Sequence, residues 1–596
     1  MVRYALALVA SATTVLGFTQ QHYPKIPAGW TATTQDTTSL QTFSIALNRQ
    51  NIDQLETELL AVSDPSSASY GEHWTDEQIA SYFAPSSEAV SSVTAWLKSA
   101  GVTHYTVDGA FIDFAVDLKT ANTLLKANYQ QYTNDGVTKL RTLSYTIPEE
   151  VQDYIALVDP GVYFGSTKAF VPTPSRAKFT PTEKRDATKT TVDASCQTSI
   201  TPTCLKELYN VAGYVPEVSS GSHIGFGSFL NESALYSDVA EFETFFGIPS
   251  QNFSVQLIAG ATNDQDPATA QIGEADLDVE NIIGISHPLP VTEFITGGSP
   301  PFVPNIDQPT AADNQNEPYV PYYRYLTAQP IKSLPQVISN SYGDEEDSVP
   351  EDYAKLTCDL IGLQGLRGIT ILESSGDLGV GAGCLAPDNK TVEFNAIFPA
   401  TCPYLTAVGG TVNVTPEVAW DGSSGGFSKY FPRPLYQTIA IEEYLKTVSP
   451  ATYAYYSQYT NFNGRGFPDV AAHSVSPDYQ VIYDGEPSAS GGTSAAAPVW
   501  AGIVGMLNDA RFRAGKTSSL GWLNPLIYTF GPQVLTDITG GYSVGCNGAN
   551  TQSGGSEPAG AGIVLGARWN ATKGWDTTTG YGTPNFQALK SLVLKL

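Results

Sequence analysis

Apolar residues in the second half of the chain form short, nearly continuous runs separated by stretches with helical periodicity. The clearest runs are at 224–226, 255–258, 337–339, 370–372 and 405–408. Strand-like runs that alternate with helical stretches are typical of a parallel sheet flanked by helices. The pattern therefore predicts an α/β fold in which functional residues lie at the carboxyl ends of the strands.

The first part of the chain carries a mixed pattern that predicts a small α+β domain. Helical periodicity is found from Leu40 to Val62 and from Ser87 to Lys98. Strand-like alternation of apolar and polar residues follows at 102–107 and 110–116. A separate domain is also expected from the length, because 596 residues are too many for one ordinary domain.

A polar segment at 171–191, rich in Pro, Thr and basic residues, predicts an exposed linker between these two parts. Lys184-Arg185 within it is interpreted as a dibasic processing site, and the alternative is a solvated pair of bases. We therefore expect a first domain at 18–170, a processing linker at 171–195 and a second domain at 196–596.

The first 17 residues have the form of a secretory signal. Met1-Val2-Arg3 is a basic start, and the apolar run after it is too short and wrongly flanked to span a membrane. Six cysteines without a C-x-x-C pair are interpreted as structural disulfides, whose pairing the sequence leaves open. Five N-x-S/T sequons, a pattern that also occurs by chance, lie at Asn231, Asn252, Asn389, Asn413 and Asn570. We therefore expect a secreted, extracellular glycoprotein.

Acidic residues outnumber basic ones, with 59 Asp and Glu against 31 Lys and Arg, and the formal net charge is −28. Such a charge argues against nucleic acid and anionic membrane surfaces as partners. It is compatible with work in acid, because about half of the carboxylates would be neutral near pH 4 by their reference pKa values. Acidic composition is also common in secreted proteins, so it does not by itself set a pH optimum.

Ser494 has the sequence context that points most clearly to chemistry. It lies in Ser490-Gly491-Gly492-Thr493-Ser494-Ala495-Ala496-Ala497-Pro498, where glycines permit close backbone approach and the alanine run continues into an apolar helix. A hydroxyl at a buried helix start lies near the positive end of the helix dipole, which favours the negative charge of an activated nucleophile. The alternative is a residue that only caps a closely packed core helix.

The Gly-Thr-Ser of this segment, followed by small residues and Pro498, resembles the nucleophile segment of subtilisin-fold serine peptidases. One branch of that superfamily uses Asp-His-Ser, and the other, the sedolisins or serine-carboxyl peptidases, uses Glu-Asp-Ser. A histidine triad does not fit, because the His-Gly-Thr helix start of subtilisins is absent and imidazole would be largely protonated in acid. His223, His287 and His473 are therefore interpreted as ordinary surface or core residues.

An acidic pair in Gly273–Ile285 replaces the histidine. On a helix, Glu274 and Asp278 are four residues apart and share one face. Two like charges that face a dry interior do not both ionise readily, so the pair should share a proton. The resemblance to the Glu-x-x-x-Asp of sedolisins assigns Glu274 as the base for Ser494 and Asp278 as the group that orients it. The alternative is an acidic helix face in water.

Asp377 is the third acidic element and lies in Ser374-Ser375-Gly376-Asp377, after an apolar strand. The resemblance to the Ser-Gly-Asp of sedolisins assigns it to the oxyanion hole. A carboxylate would repel an oxyanion, so Asp377 must be protonated to donate a hydrogen bond, and activity should be lost as the pH rises through its pKa. The alternative is an Asx turn at a strand end.

Other segments resemble sedolisins in the expected order and extend the resemblance from near residue 196 to the end. They are Ile200–Val211, Val337–Gly343, Phe398–Thr411 and Gly464–Val470. In the first domain, Tyr70-Gly71-Glu72-His73-Trp74-Thr75 and Phe83-Ala84-Pro85 resemble the prodomain that precedes sedolisin catalytic domains. The resemblance implies a subtilisin-like parallel sheet flanked by helices, preceded by a ferredoxin-like α+β prodomain.

Two segments near the C-terminus, Leu535–Thr539 and Gly574–Phe586, resemble the calcium loops of the family. The resemblance implies one structural Ca²⁺, for which an all-oxygen set is suitable. The assigned ligands are the carboxylates of Asp537 and Asp576 and the carbonyls of Ile538, Thr572 and Gly574. The family commonly has glycine in place of Thr572, but a carbonyl ligand needs no particular side chain. The alternative is a pair of turn aspartates.

Taken as a whole, the resemblance implies a secreted, acid-acting serine-carboxyl peptidase made as a zymogen. The expected partners are peptide and protein substrates and the chain's own prodomain as inhibitor, and we expect a monomer. Release of tripeptides from free N-termini is favoured, with an acid endopeptidase of the same family as the alternative. An inactive binding protein on the same fold is the alternative of another class.

Overall fold

The structure is a computed structural model that describes residues 18–22, 26, 31–33, 38–134, 137–161, 175–176, 192–298, 316–550, 555–557 and 559–596. The predicted signal segment and Lys184-Arg185 lie outside these residues. Described residues within Met1–Ile26, Trp30–Gln50 and Ala84–Tyr163 form one compact unit, and those within Asn51–Phe83 and Phe164–Leu596 form the other. Helices α1 (Leu55–Ser63) and α2 (Asp76–Tyr82), which lie within the predicted prodomain range, thus belong to the second unit.

The first unit is a small α+β domain. Its four-stranded antiparallel sheet has the order β4-β5-β3-β9. Its strands are β1 (Phe18–His22), β2 (Thr31–Thr33), β3 (Leu40–Leu47), β4 (Tyr105–Asp108), β5 (Phe111–Asp117), β6 (Gln130–Asn134), β7 (Val137–Arg141), β8 (Ser144–Ile147) and β9 (Ile155–Asp159). Its helices are α3 (Ser87–Ser99), α4 (Leu118–Leu124) and α5 (Glu149–Gln152).

The prediction of a helix from Leu40 to Val62 is wrong for its first part. Leu40–Leu47 is strand β3, which pairs antiparallel with β5 and with β9. Phe43, Ile45 and Leu47 alternate along it and are buried. A short apolar run fits both periods, and here the neighbouring strands decide the outcome, so that the helical period begins only in α1.

The second unit is built on an eight-stranded sheet that is parallel except at one edge. Neighbouring strands follow the order β12-β13-β11-β14-β16-β18, and β18 also pairs with β22 and, antiparallel, with β19. These strands are β11 (Ile224–Ser228), β12 (Ser254–Ile258), β13 (Val291–Thr296), β14 (Val337–Asn340), β16 (Thr370–Ser374), β18 (Thr406–Val412), β19 (Val418–Ala419) and β22 (Val470–Val475). The predicted strands and the α/β class are confirmed.

The other strands of this unit form small sheets around the main one. They are β10 (Ser175–Arg176), β15 (Asp344–Glu345), β17 (Ile397–Phe398), β20 (Gly426–Pro432), β21 (Gly464–Phe467), β23 (Tyr479–Tyr483), β24 (Glu486–Ser490), β25 (Leu535–Thr536), β26 (Tyr542–Val544), β27 (Ala549–Asn550), β28 (Gly555–Ser556), β29 (Arg568–Asn570) and β30 (Thr583–Pro584). The remaining helices are α6 (Pro202–Leu208), α7 (Tyr236–Phe246), α8 (Gly273–Ser286), α9 (Tyr319–Ala328), α10 (Glu351–Leu366), α11 (Thr438–Thr447), α12 (Pro450–Tyr456), α13 (Thr493–Arg513), α14 (Asn524–Val534) and α15 (Phe586–Val593).

Helices α8 and α13 pack against each other in the core of the second unit. Every residue of α8 is buried, and α13 is buried from Thr493 to Arg511. Gly502 of α13 lies directly against Ile285 of α8, where any side chain would overlap it. Because both helices are buried on all sides, the residues at the start of α13 are in contact with the core from several directions.

The six cysteines form three disulfides, which confirms that they are structural. The pairs are Cys196–Cys204, Cys358–Cys402 and Cys384–Cys546. The last pair joins the loop that follows Asp377 to the C-terminal part of the chain. Among the described residues, none of the helices has both the length and the apolar composition of a membrane span.

Candidate active site

Ser494 is the second residue of α13 and is buried. Gly492 before it has a φ of 107°, a conformation that favours glycine. A Cβ atom at Gly492 would also lie 2.6 Å from Oδ2 of Asp377, so glycine lets that carboxyl group approach the start of the helix. The Ser494 hydroxyl donates a hydrogen bond of 3.3 Å to the carbonyl oxygen of Ser341.

Glu274 and Asp278 lie one turn apart on α8, and both are buried, so that an acidic helix face in water does not describe them. Burial raises the pKa of the Glu274 carboxyl well above its usual value, and the nearby charge of Asp278 raises it further. Burial likewise raises the pKa of Asp278, while the hydroxyl of Ser341, which donates to Oδ1 at 2.6 Å, lowers it. Burial and mutual repulsion thus oppose ionisation of both groups together, which favours a shared proton.

The Ser494 hydroxyl acts on the first member of this pair. It lowers the pKa of Glu274, because a nearby donor favours the charged carboxylate. Glu274 Oε1 is buried and has no hydrogen-bond partner among the described residues. Glu274 and the hydroxyl are thus neighbours, and a small rotation of the hydroxyl away from the Ser341 carbonyl would direct it toward Glu274.

Asp377 lies at the end of a strand of the main sheet and contacts the start of α13. It follows β16 after Gly376, which has a φ of 99°. Its Oδ1 atom accepts hydrogen bonds from the amide of Thr493 at 2.9 Å and from the hydroxyl of Thr493 at 2.7 Å. Burial raises the pKa of Asp377, and the two bonds from Thr493 lower it. The carboxyl group therefore lies beside the helix start that carries Ser494.

Glu232 is a residue of this site that the sequence analysis missed. Its Oε2 atom accepts the amide of Glu274 at 3.3 Å and of Ala275 at 3.5 Å, so it occupies the N-terminal end of α8. Burial raises its pKa to about 7, and its charge raises the pKa values of Glu274 and Asp278. The local sequence around Glu232 shows only the sequon at Asn231. It gives no sign of the contact with α8, because Glu274 lies 42 residues further along the chain.

The three histidines make ordinary hydrogen bonds or lie at the surface of the unit. His223 Nε2 lies 2.8 Å from the hydroxyl of Thr292, and the two ring nitrogens of His473 face the carbonyls of Asn413 and Pro477. His287 is half-buried, and burial lowers its pKa. None of the hydrogen bonds found for these rings among the described residues involves Ser494.

The two carboxyl groups predicted as calcium ligands border one loop. Oδ2 of Asp576 accepts the amide of Thr572 at 2.9 Å, and Oδ2 of Asp537 accepts the amide of Gly574 at 2.9 Å. Both carboxyl groups therefore border the 572–574 loop, next to the carbonyls that the resemblance assigns. No cluster of three or more acidic, His or Cys side chains suited to a metal occurs in the described residues, so carbonyls would have to complete a cage here. The donor set fits Ca²⁺.

A serine at a helix start, a buried carboxyl pair and a buried third carboxyl on a parallel α/β sheet are the elements expected of a serine-carboxyl peptidase. Comparison with known proteins gives the family. Residues 29–164 match the family "Pro-kumamolisin, activation domain", and residues 311–518 match the "Subtilase family".

Relatives match along the whole chain. The tripeptidyl-peptidase sed4 of Aspergillus fumigatus is 53% identical, over 100% of this chain and 99% of the relative. The tripeptidyl-peptidase SED2 of Arthroderma otae is 38% identical, over 96% of this chain and 95% of the relative. The structure of Pseudomonas sedolisin covers 67% of this chain and 98% of its own, with 20% identity and a TM-score of 0.46. The chain belongs to the sedolisin family of serine-carboxyl peptidases and carries a pro-kumamolisin activation domain.

The buried carboxyl groups around α8 generate a prediction about stability. Glu293 accepts hydrogen bonds from the Ser228 hydroxyl at 2.8 Å and the Ala234 amide at 3.0 Å, and burial raises its pKa to about 8. A folded-state pKa above the unfolded value makes stability fall as pH rises, since the contribution is complete below about pH 4.5 and is lost through pH 8. We expect the free energy of unfolding to drop between pH 5 and pH 8 by on the order of 3 kcal/mol from this group.

Glu293→Gln should remove that part of the pH dependence, because the amide mimics the protonated acid. Denaturant unfolding at both pH values measures it, with the exposed Glu241→Gln as the matched control. A Glu293→Gln protein with the same pH dependence as the parent would contradict the assignment.

Proposed function

We propose that this protein is an acid-acting serine peptidase in which Ser494 is the nucleophile, Glu274 its base, Asp278 the orienting partner of Glu274 and Asp377 the oxyanion donor. The observation that carries the proposal is the meeting of Ser494 with the buried carboxyl pair of α8. Glu274 takes the proton of the hydroxyl as Ser494 attacks the scissile carbonyl, and returns it to the leaving amine. Water then repeats the sequence on the acyl-enzyme.

The surrounding groups hold each participant in the state that the reaction needs. The hydroxyl of Ser341 donates to Asp278 at 2.6 Å and also lies 3.2 Å from the carbonyl oxygen of Ser494, so it links the two helices. Protonated Asp377 can donate to the oxygen of the tetrahedral intermediate, while Thr493 fixes its other oxygen. Acid favours this protonated form, which supports action at low pH.

We further infer that the chain is secreted and that it removes tripeptides from free N-termini. The signal-like residues 1–17 support secretion, and the two relatives named above, both described as tripeptidyl-peptidases, support the exopeptidase activity. The activation domain acts as the inhibitor of the zymogen, and processing falls in the linker near Lys184-Arg185.

The role of Asp377 predicts the alkaline limit of activity. Asp377→Asn should keep a donor at every pH, so the fall of kcat on the alkaline side should move upward by about one pH unit or more. A kcat profile from pH 3 to pH 8 measures it. Asp388→Asn, in an exposed turn where Asp388 accepts the amides of Lys390 and Thr391, is the control. If kcat falls by the same factor at every pH and its alkaline decline stays at the same pH, the proposed role of Asp377 is excluded.

The exopeptidase activity predicts a requirement for a free amine. A hexapeptide with a free N-terminus should release its first three residues, and its N-acetylated form should be cleaved about a hundredfold more slowly or not at all, because a lost charged contact costs roughly 2 to 3 kcal/mol. The same peptide amidated at its C-terminus is the control and should be cleaved normally. Equal cleavage of free and acetylated peptides would favour the endopeptidase alternative.

We propose one structural Ca²⁺ bound by Asp537 and Asp576, with the carbonyls of Ile538, Thr572 and Gly574. Bound calcium would neutralise the two carboxylates and stiffen the 572–576 loop, which packs in the C-terminal part of the second unit. Asp576 is buried, and its Oδ1 atom accepts hydrogen bonds from the amide and hydroxyl of Thr578 and from the amide of Thr579. These bonds fix the position of the carboxyl group in the loop.

Calcium removal should therefore destabilise the fold. Chelation is expected to lower the midpoint of thermal unfolding by about 5 °C or more, and added Ca²⁺, but not Mg²⁺, should restore it. Asp537→Asn should abolish the response to chelator. An unchanged midpoint after chelation of the wild-type protein would contradict the site.

A further inference from the structure

Residues 51–83 of the activation domain pack within the second unit, against helix α10 of the peptidase and the segment around Gly521. This anchor segment carries α1, α2 and the Tyr70–Thr75 motif, for which the proposed mechanism has no use. Three glycines at a spacing of three residues, Gly362, Gly365 and Gly368, form the surface that receives it. Such spacing places them on one face of the helix and at its end.

Each of these glycines faces one side chain of the anchor segment. A Cβ atom at Gly362 would lie 2.7 Å from Cδ2 of Leu55, and one at Gly365 would lie 2.9 Å from Cδ2 of Leu59. At Gly368, which has a φ of 83°, a Cβ atom would overlap the imidazole ring of His73. Residues larger than glycine at these three positions would overlap the anchor segment, so the surface that they form, called the glycine seat below, is complementary to this segment.

His73 is enclosed from two sides. Gly368 borders its ring on one side, and a Cβ atom at Gly521 would lie 2.8 Å from its Nε2 atom on the other. Nε2 is buried and has no hydrogen-bond partner among the described residues. The amide of the next residue, Trp74, donates to the carbonyl of Leu366 at 2.8 Å, so the backbone holds the ring in place.

The charge of Arg511, which lies near His73, disfavours a positive charge on the imidazole ring. Arg511 of α13 faces it and is fixed by bonds to the carbonyls of Ser518 and Val593. Asp76 lies three residues on, but it is paired with Arg367 at 2.9 Å and also accepts the amide of Ile331. Tyr70 of the same segment is close to Arg511, and Glu72 is exposed. Burial first, and Arg511 second, lower the pKa of His73 to about 4.

We propose that residues 51–83 anchor the activation domain to the peptidase and that protonation of His73 in the glycine seat releases this anchor. The released imidazole regains its ordinary pKa, whereas the docked imidazole resists protonation. Docking is thus complete above about pH 6.5 and is lost as pH falls toward 4, which is the direction needed for a zymogen activated by acid. The expected weakening of docking between pH 7 and pH 4 is about a hundredfold.

Hydrogen exchange on the full-length chain tests the proposal without relying on peptidase activity, because Ser494→Ala keeps the zymogen intact. After correction for intrinsic rates, amide protection in 51–83, including Trp74, should fall about a hundredfold between pH 7 and pH 4. The added change His73→Gln keeps a neutral group of similar size in the seat and should remove most of this fall. His104→Gln, at an exposed histidine of the first unit, should leave it unchanged.

In the active chain, conversion of the zymogen at pH 4 should be at least tenfold slower in His73→Gln than in His104→Gln, and addition of mature enzyme should not equalise them. The Asp76–Arg367 pair, partly exposed, is present in every variant, so it does not distinguish them. If His73→Gln loses protection with pH as the parent does, or is converted as fast as His104→Gln, the proposal is wrong.

Discussion

The proposed active site depends on one constraint: Glu274 and Asp278 of α8 are buried where this helix packs against α13. Burial raises the free energy of the charged form of each carboxyl group, which favours one proton shared by the pair. In the proposed mechanism, the pair then exchanges a second proton with the hydroxyl of Ser494. The close approach that Gly502 permits to Ile285 brings the helix with the acids against the helix with Ser494. In the proposed mechanism, this carboxyl pair takes the place of the imidazole that the histidine-based subtilisin-fold peptidases use.

The parallel sheet supplies the rest of the site. Ser341 follows β14 and Asp377 follows β16, which are neighbouring strands, so both groups emerge at the same carboxyl edge. Thr493, the first residue of α13, connects this helix to that edge through its hydrogen bonds to Asp377. Glu232 accepts a hydrogen bond from the amide of Glu274 at the N-terminal end of α8. In the proposed mechanism, acid favours the neutral form of the buried carboxyl groups and, at the anchor segment, opposes docking of the activation domain.

Local sequence patterns predicted those features that local forces determine. The strand runs, the helix after Ser494 and the shared face of Glu274 and Asp278 follow from side-chain periodicity. Long-range contacts were not predictable in this way. Strand β3 was assigned to a helix because its partners lie far along the chain, and Glu232 and the packing of 51–83 were missed for the same reason. The cysteines were correctly interpreted as structural, but their pairing depends on the fold.

The proposed mechanism depends above all on the activation of Ser494 by Glu274. The most direct measurement is the turnover of Glu274→Gln against Glu280→Gln, because Glu280 is also buried on α8 but accepts the amide of Ile482 at 3.0 Å instead of facing Ser494. We expect kcat to fall by about 10² to 10⁴ in Glu274→Gln and by less than about tenfold in Glu280→Gln. Equal effects of the two substitutions, or full turnover in Glu274→Gln, would contradict this mechanism.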